Sequence, residues 1–230
     1  MALLDVDSID TYYGQSLAIK NVTLDVERGE VVSILGRNGS GKTTTLRSIV
    51  GVKSPRDGRV RYDDVDVTDE PKFKTIQRGL GYVPEDRQVW TNLTVEENLQ
   101  VPAGRGGDWS IDDVYDLFPT LQELQDALAG TMSGGEQQML AIGRGLLGGT
   151  ELLLLDEPTE GLAPMIVEDV RDAIMELRND LTIVLVEQNI NVALSVSDRA
   201  YVLSNGHVVH EAPADELDGD DDILKEHVSI

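Results

Sequence analysis

The residues with the clearest chemistry are GRNGSGKT at positions 36–43, which match the phosphate-binding pattern G-x-x-x-x-G-K-[ST] at every specified position. Glycines let successive backbone N–H groups point at a phosphate where a side chain would be in the way. Lys42 is expected to neutralise the β- and γ-phosphates, and the hydroxyl of Thr43 is expected to bind Mg²⁺. The alternative is a glycine-rich turn with a solvated lysine. The apolar run before the motif and the helical spacing after it favour a site for a nucleoside triphosphate.

The second candidate group is Asp156 and Glu157, which follow the wholly apolar run at residues 152–155. A strand buried on both faces delivers its last residues to the carboxyl edge of a parallel sheet, where a phosphate loop also lies. There Asp156 would hold Mg²⁺, directly or through water, and Glu157 would polarise the attacking water. Taken alone, the run could equally end at two solvated acids. The phosphate loop in the same chain favours the catalytic interpretation.

The third group is Ser133, Gly134, Gly135 and Glu136, which precede an apolar helix predicted at residues 139–147. Ser-Gly-Gly at a helix start offers free N–H groups, a hydroxyl and the positive end of the helix dipole, all of which favour an anion. Alone, the motif would be an N-cap with a flexible turn. Because the chain already has a phosphate loop, a second nest suggests a second nucleotide. Two chains packed head to tail would pair each loop with the other chain's nest.

The elements that position these groups follow from the hydrophobic periodicity. Alternation over residues 3–34 predicts strands at residues 4–9, 22–26 and 31–35, with Tyr12-Tyr13-Gly14 between the first two. Further strands are predicted at residues 59–62, 81–84, 152–155, 182–186, 200–203 and 207–210, and helices at residues 44–50, 94–101, 111–117, 121–128, 139–147, 166–178 and 190–196. This order predicts an α/β fold, with a mostly parallel sheet core and an N-terminal antiparallel β part. The chain is predicted to be one domain, 1–230, with a core at 1–83 and 131–230 and a small helical subdomain at 84–130.

Composition excludes several classes of function. The net charge of −23 argues against non-specific nucleic-acid binding, which needs basic patches. The chain has no run of about 18 apolar residues and no secretory signal at its start, so a membrane span and secretion are not predicted. The absence of cysteine excludes disulfides and thiolate metal sites. The dense carboxylates suggest a cytoplasm rich in salt, with an ordinary acidic protein as the alternative.

Taken together, GRNGSGKT, MSGGEQQ and LLLLDEPT resemble the ATP-binding subunits of ABC transporters, and the likeness covers residues 13–210. More narrowly, YVPE at 82–85, LTVEENL at 93–99, GTMSGGEQQMLAIGR at 130–144 and VEQN at 186–189 are similar to the ATPase subunits of branched-chain amino-acid importers, specifically the F component. The resemblance implies a P-loop NTPase fold of ABC type and an ATPase that uses ATP and Mg²⁺. Hydrolysis would energise uptake of branched-chain or related hydrophobic amino acids.

The resemblance also implies roles for nucleotide-binding residues. Tyr13 would stack on adenine, although its position alone leaves open a turn tyrosine that packs on the sheet. The Ser133 nest would contact the γ-phosphate held by the opposite subunit. The predicted ATP-binding residues are Tyr13, Gly36, Arg37, Asn38, Gly39, Ser40, Gly41, Lys42, Thr43 and Thr44, and the predicted signature residues are Ser133, Gly134, Gly135 and Glu136.

Two substitutions mark the expected catalytic centre. Glu85 occupies the place of the usual Q-loop glutamine, which contacts Mg²⁺ and the attacking water, and Gln188 occupies the place of the usual switch histidine. Since an amide does not titrate near neutral pH, a proton-shuttling role is excluded for Gln188. Glu160 stands where an apolar residue is usual and would favour a non-identical partner if it faced a dimer seam. The predicted catalytic residues are Lys42, Glu85, Glu157 and Gln188, and the predicted metal ligands are Thr43, Glu85 and Asp156.

The partners implied by the resemblance are a second ABC ATPase subunit, in a heterodimer or a homodimer, and two transmembrane permease subunits. An extracellular substrate-binding protein would act indirectly, and no nucleic acid is expected. The chain would then be a peripheral protein on the cytoplasmic face of the cell membrane. The alternatives are the ATPase of a urea or amide importer, a soluble ABC ATPase of iron–sulfur cluster assembly, and a regulatory module with little turnover. Glu157 argues against the last.

Overall fold

The computed structural model describes residues 2–228 of the chain, which form two β-sheets covered by α-helices. The strands are β1 Ala2–Tyr13, β2 Ser16–Glu27, β3 Val31–Leu35, β4 Asp57–Tyr62, β5 Val65–Asp66, β6 Leu80–Val83, β7 Leu152–Asp156, β8 Thr182–Glu187, β9 Arg199–Ser204 and β10 His207–Pro213. The helices are α1 Lys42–Ile49, α2 Lys72–Gln77, α3 Val95–Ala103, α4 Ile111–Leu117, α5 Pro119–Glu123, α6 Gly134–Leu146, α7 Pro164–Leu177, α8 Ile190–Val196 and α9 Asp222–His227. Within residues 2–228, no helix has the length and apolar character needed to cross a lipid bilayer.

The larger sheet has the strand order β10-β9-β3-β8-β7-β6 and is parallel from β9 to β6, with β10 antiparallel at one edge. Every residue of β3, β7 and β8 is buried because both faces of the sheet are covered. Along β7, Leu153 and Leu155 pack with the helices, whereas Leu152 and Leu154 face the smaller sheet. The strand register places the last residues of β3, β7 and β8 at one edge, where the predicted chemistry lies.

The smaller sheet is antiparallel, has the order β2-β1-β4-β5, and shares an apolar core with α1 and one face of the larger sheet. The antiparallel β part predicted from the sequence is therefore present. Its first strand is longer than expected, since Tyr12 and Tyr13 are the last residues of β1 rather than a connection between strands. The turn to β2 begins at Gly14, whose φ of 63° suits glycine.

Helices α3, α4 and α5 lie between β6 and α6 in the chain, and α3 and α5 contact α6. The helix predicted at residues 121–128 is wrong in its second half, because α5 ends five residues earlier. The carbonyls of Gln125 and Ala127 instead accept hydrogen bonds from the amides of Glu96 and Val95, both at 3.1 Å. A helix would use its carbonyls within itself, so these bonds hold the segment against the start of α3.

Candidate nucleotide-binding site

The predicted phosphate loop lies between β3 and α1, at the carboxyl edge of the larger sheet. A Cβ at Gly36 would lie 2.3 Å from the backbone oxygen of Leu203 and 2.5 Å from Oγ of Ser40, so this position has no room for a side chain. Gly41 precedes α1 with a φ of 110°, a left-handed conformation that glycine adopts without strain. The loop therefore depends on glycine for two separate physical reasons.

Lys42 lies inside this loop rather than in solvent, with 3% of its surface exposed. Its ammonium donates hydrogen bonds to the carbonyls of Gly36, at 2.8 Å, and Arg37, at 3.3 Å. The same nitrogen is 3.0 Å from a carboxylate oxygen of Glu157, which is also buried. The ammonium is thus fixed inside the curled backbone of the loop. Lys42 is not a solvated side chain, as the alternative interpretation had it.

Thr43 and Asp156 meet across the two elements that carry them. The Thr43 hydroxyl donates a 2.9 Å hydrogen bond to one carboxylate oxygen of Asp156, and the Tyr82 hydroxyl donates a 3.1 Å bond to the other. Burial raises the pKa of Asp156, while the hydrogen bonds from Thr43 and Tyr82 oppose that shift. The result is a hydroxyl and a carboxylate side by side at the mouth of the phosphate loop.

This donor set fits Mg²⁺. The ion prefers oxygen ligands and is usually held by one or two carboxylates together with substrate phosphates and water. Among residues 2–228, no cluster of three or more His, Cys, Asp or Glu side chains could hold a metal by itself. A Mg²⁺ site that takes its remaining ligands from substrate phosphates needs only a few protein oxygens. Thr43 and Asp156 supply such oxygens, and Glu85 is exposed on the cleft that Thr43 lines.

The cleft in front of the loop, about 490 Å³ in volume, brings three acidic side chains together: Glu85, Glu157 and Glu160. A hydrogen bond with Glu157 raises the pKa of Glu160, and burial and the neighbouring carboxylates add to the shift. Glu160 therefore faces its own chain's cleft. Arg47 also lines the cleft and is a cationic neighbour that sequence reasoning missed.

Tyr13 lies near this cleft but not among its lining residues. Its ring is 45% exposed, and the Lys53 ammonium lies 5.6 Å from the ring centroid. Hydrogen bonding to Tyr13 raises the pKa of Arg47, which does line the cleft. An exposed aromatic ring is thus linked through Arg47 to the rim of the phosphate site.

Gln188 directly follows β8 and is half-buried, and the residue before it is a carboxylate that sequence reasoning missed. Glu187 is 2% exposed, and burial raises its pKa, although hydrogen bonds from Thr159 and Asn189 oppose the shift. The signal was present in the sequence, because Glu187 ends a buried apolar run just as Asp156 does. The hydrophobic pattern does not indicate its hydrogen-bond partners, Thr159 and Asn189.

The predicted signature residues lie elsewhere, at the start of α6. Ser133 caps this helix: its hydroxyl accepts from the Glu136 amide at 3.3 Å, and its amide donates to the Glu136 carboxylate at 2.6 Å. Ser133 and Gly134 are exposed, whereas Gly135 is buried so closely that a Cβ would lie 2.8 Å from Ile166. None of these residues lines the chain's own phosphate cleft. A single chain therefore does not bring its loop and its nest together.

The structure has a second concave surface, which the sequence did not predict. This cationic groove, about 310 Å³ in volume, lies between β6, α3 and α6 and is lined by four cationic residues: Lys72, Arg87, Arg105 and Arg144. The Arg144 guanidinium stacks 3.7 Å from the ring centroid of Trp90 and donates to the Gln88 carbonyl at 2.7 Å, while its Nε is buried without a partner. Burial lowers the pKa of Arg144 to about 10. In the part of the chain that the structure describes, none of the four cations forms an ion pair with a carboxylate.

Comparisons with known proteins agree with this geometry. A family model described as "ABC transporter" matches residues 19–160. The chain is 44% identical over 216 residues to the high-affinity branched-chain amino acid transport ATP-binding protein BraG of Pseudomonas aeruginosa, covering 90% of this chain and 91% of the relative. It is 38% identical to the probable branched-chain amino acid transport ATP-binding protein LivF of Archaeoglobus fulgidus, covering 94% of each. A similar solved structure is the dimeric ATP-binding cassette MJ0796 bound to ADP and Pi, with a TM-score of 0.82, 28% identity, and coverage of 92% of this chain and 98% of that one.

Proposed function

This chain belongs to the ABC transporter family, and on that premise we propose that it is the ATP-hydrolysing subunit of an importer for branched-chain amino acids. The observation that carries the enzymatic part is the convergence of Lys42, Thr43, Asp156 and Glu157 at one edge of the sheet. The cargo is proposed from BraG and LivF, whose names specify branched-chain amino acids.

We propose that hydrolysis proceeds by attack of water on the γ-phosphorus, which breaks its bond to the β–γ bridging oxygen and releases ADP and inorganic phosphate. Lys42 neutralises the β- and γ-phosphate oxygens from inside the loop, while backbone N–H groups of residues 36–41 orient them. Glu157, which directly follows β7 and lies beside Lys42, polarises the attacking water. Gln188 follows the neighbouring strand and donates a hydrogen bond to the γ-phosphate. Catalysis then comes mainly from position and charge.

Thr43, Asp156 and Glu85 would hold Mg²⁺, which, when bound, supplies positive charge to the phosphate oxygens. The bond between Thr43 and Asp156 already holds two of these side chains together. At the other end of the nucleotide, Tyr13 would offer its exposed ring to the adenine base, with Arg47 between the ring and the phosphates.

We further propose that the site is completed by a second ATPase subunit. The exposed nest at Ser133 and Gly134 has no phosphate of its own chain to bind, so it would contact the γ-phosphate held by the partner. The solved structure of MJ0796 is described as dimeric, which supports this arrangement. The partner is either a related ATPase or a second copy of this chain. Because the partner's nest would close over this cleft, Glu160, which lines it, would lie at the seam and would favour a non-identical partner.

The contact with the transmembrane permease is proposed at the cationic groove. Four cations without carboxylate partners are unusual in a chain with 42 acidic and 19 basic residues. An acidic segment of a permease subunit would pair with them and cover the exposed face of Trp90. Residues 84–130 would then act as a small helical subdomain that passes closure of the ATPase dimer to the permease. The chain would lie at the cytoplasmic face of the membrane, and an extracellular binding protein would contribute only through the permease.

The test is a pull-down of the tagged native complex from detergent-solubilised membranes, with the partners identified by mass spectrometry. Two polytopic membrane proteins and a second ABC ATPase are expected, and the identity of that ATPase decides between heterodimer and homodimer. Uptake of labelled leucine and urea into vesicles that carry the recovered complex then tests the cargo. Recovery of soluble partners alone would refute the importer and favour an assembly ATPase.

A further inference from the structure

We propose that Glu187 is a positioning residue that holds Glu157 and Gln188 in their catalytic relation, an inference that rests on the proposed function. Glu187 is the last residue of β8, a central strand flanked by β3 and β7. It lies immediately before Gln188. Nothing in the motif analysis assigns it a role.

The Glu187 carboxylate joins the turn after β7 to the turn after β8. One of its oxygens accepts hydrogen bonds from the Thr159 amide, at 3.0 Å, and from the Thr159 hydroxyl, at 2.6 Å. The other accepts from the Asn189 amide at 3.2 Å. Both backbone groups can only donate, so the side chain must present an acceptor to each of two separate turns.

The turn after β7 needs such a constraint. Glu157 has a φ of 49°, in the left-handed region that non-glycine residues rarely adopt, and its amide donates to the Val186 carbonyl at 2.9 Å. Strained backbone of this kind persists only where its surroundings fix it. By binding Thr159, two residues further on, Glu187 fixes the turn that aims the Glu157 carboxylate at Lys42.

A carboxylate suits this task better than its neutral isostere. Glu187 has 2% exposure and forms no ion pair with a cation among residues 2–228, so it is not retained for a salt bridge. Glutamine at this position has a single oxygen and an NH₂ group that would face a backbone N–H. It could therefore hold the turn at Thr159 or the turn at Asn189, but not both.

The experiment compares Glu187→Gln with Glu123→Gln, an exposed glutamate on α5, in the complex that the pull-down recovers, because the proposed site needs a second ATPase subunit. The Glu187 variant is expected to lose about 10- to 100-fold in kcat, because small misplacements of catalytic groups have effects of this size. Its affinity for ATP should be unchanged, since the hydrogen bonds of the Glu187 carboxylate come from Thr159 and Asn189 and not from the phosphate loop. Hydrogen exchange of the Thr159 and Asn189 amides should become faster. A kcat equal to that of the control would overturn the proposal.

Substitutions at Thr159 provide an independent test of the proposal if the Glu187→Gln variant does not fold. Thr159→Val removes the hydroxyl bond and should lower kcat in the same direction, whereas Thr159→Ser retains the hydroxyl and should behave like wild type. Equal rates for Val and Ser would refute the role. In a Glu157→Gln background, Glu187→Gln should lower residual hydrolysis by less than it does in the wild type, because only the displacement of Gln188 remains, and an equal loss in both backgrounds would show that it acts elsewhere. If the wild type does not hydrolyse ATP, the proposed function fails, while the amide exchange still tests the link between the turns.

Discussion

Replacing Gly36 with alanine is expected to disrupt the phosphate loop, because the added methyl group would overlap with neighbouring atoms. Its carbon would lie 2.3 Å from the backbone oxygen of Leu203 and 2.5 Å from Oγ of Ser40. Non-bonded heavy atoms prefer separations of about 3.5 Å or more, so the shortfall is about 1 Å. Leu203 belongs to β9, which pairs with β3 directly before the loop. To relieve this steric overlap, the end of β3 and the loop must move away from β9.

The loss of stability in Gly36→Ala can be compared with the effect of the same substitution at Gly104, a glycine with space around it. Overpacking of this kind costs about 1–3 kcal/mol of folding free energy. Gly104, at the end of α3, has an ordinary φ of −62°, and a Cβ added there would lie 3.7 Å from its nearest neighbour. Alanine there should be neutral or stabilise by about 0.4–1 kcal/mol, through the entropy of the unfolded chain. The two variants should thus differ by about 1–4 kcal/mol in the free energy of unfolding.

Urea unfolding without nucleotide measures this difference through the transition midpoints at equal m-values. Equilibrium binding of ATP then tests the site, and Gly36→Ala should bind far more weakly than Gly104→Ala. Equal stability and equal ATP affinity for the two variants would refute the reasoning from the close approach at Gly36.

Four further predictions follow from the structure. Glu157→Gln should bind ATP normally but lower kcat by about 10²–10⁴-fold, as loss of a general base does, and turnover near wild type would contradict its role. Arg144→Glu should reduce recovery of the permease in the pull-down while ATP affinity stays constant, whereas Arg171→Glu, on the exposed face of α7, should not. Leu154→Ala should lower the free energy of unfolding by about 2–5 kcal/mol in urea titrations, because the side chain is fully buried between the sheets. If the net charge of −23 reflects a salt-rich cytoplasm, Tm and ATPase activity should rise from dilute buffer to molar KCl, and equal values would refute that adaptation.

The sequence predicts the parts of the molecule whose signals are local. The phosphate loop is a contiguous motif, and Asp156 and Glu157 end a run that only a doubly buried strand explains. The predictions of an ABC-type α/β fold and of an ABC transporter ATPase are confirmed by the family match and by the relatives, whereas the import of branched-chain amino acids stays a proposal. The roles assigned to all individual site residues, from Lys42 and Glu157 to Tyr13, Glu85 and Gln188, stay predictions.

The features that escaped prediction depend on tertiary contacts. Four cations from separate elements form the cationic groove, and their spacing in the sequence carries no period. Glu187 ends a buried run, yet its partner Thr159 lies 28 residues away. The helix predicted at residues 121–128 was too long because two of its carbonyls bind the start of α3, a competition that hydrophobic spacing does not encode.

If the proposed function holds, the buried contact between Lys42 and Glu157 would link the binding of substrate to the activation of the base. Within the chain, the Glu157 carboxylate takes the position beside the ammonium that a phosphate oxygen would claim. A triphosphate that binds Lys42 would compete with Glu157 for the ammonium and would free the carboxylate to polarise water. A singly charged anion would only exchange one unit of charge for another and gain little. The pair would therefore act as an internal counter-ion that favours polyphosphates over simpler anions.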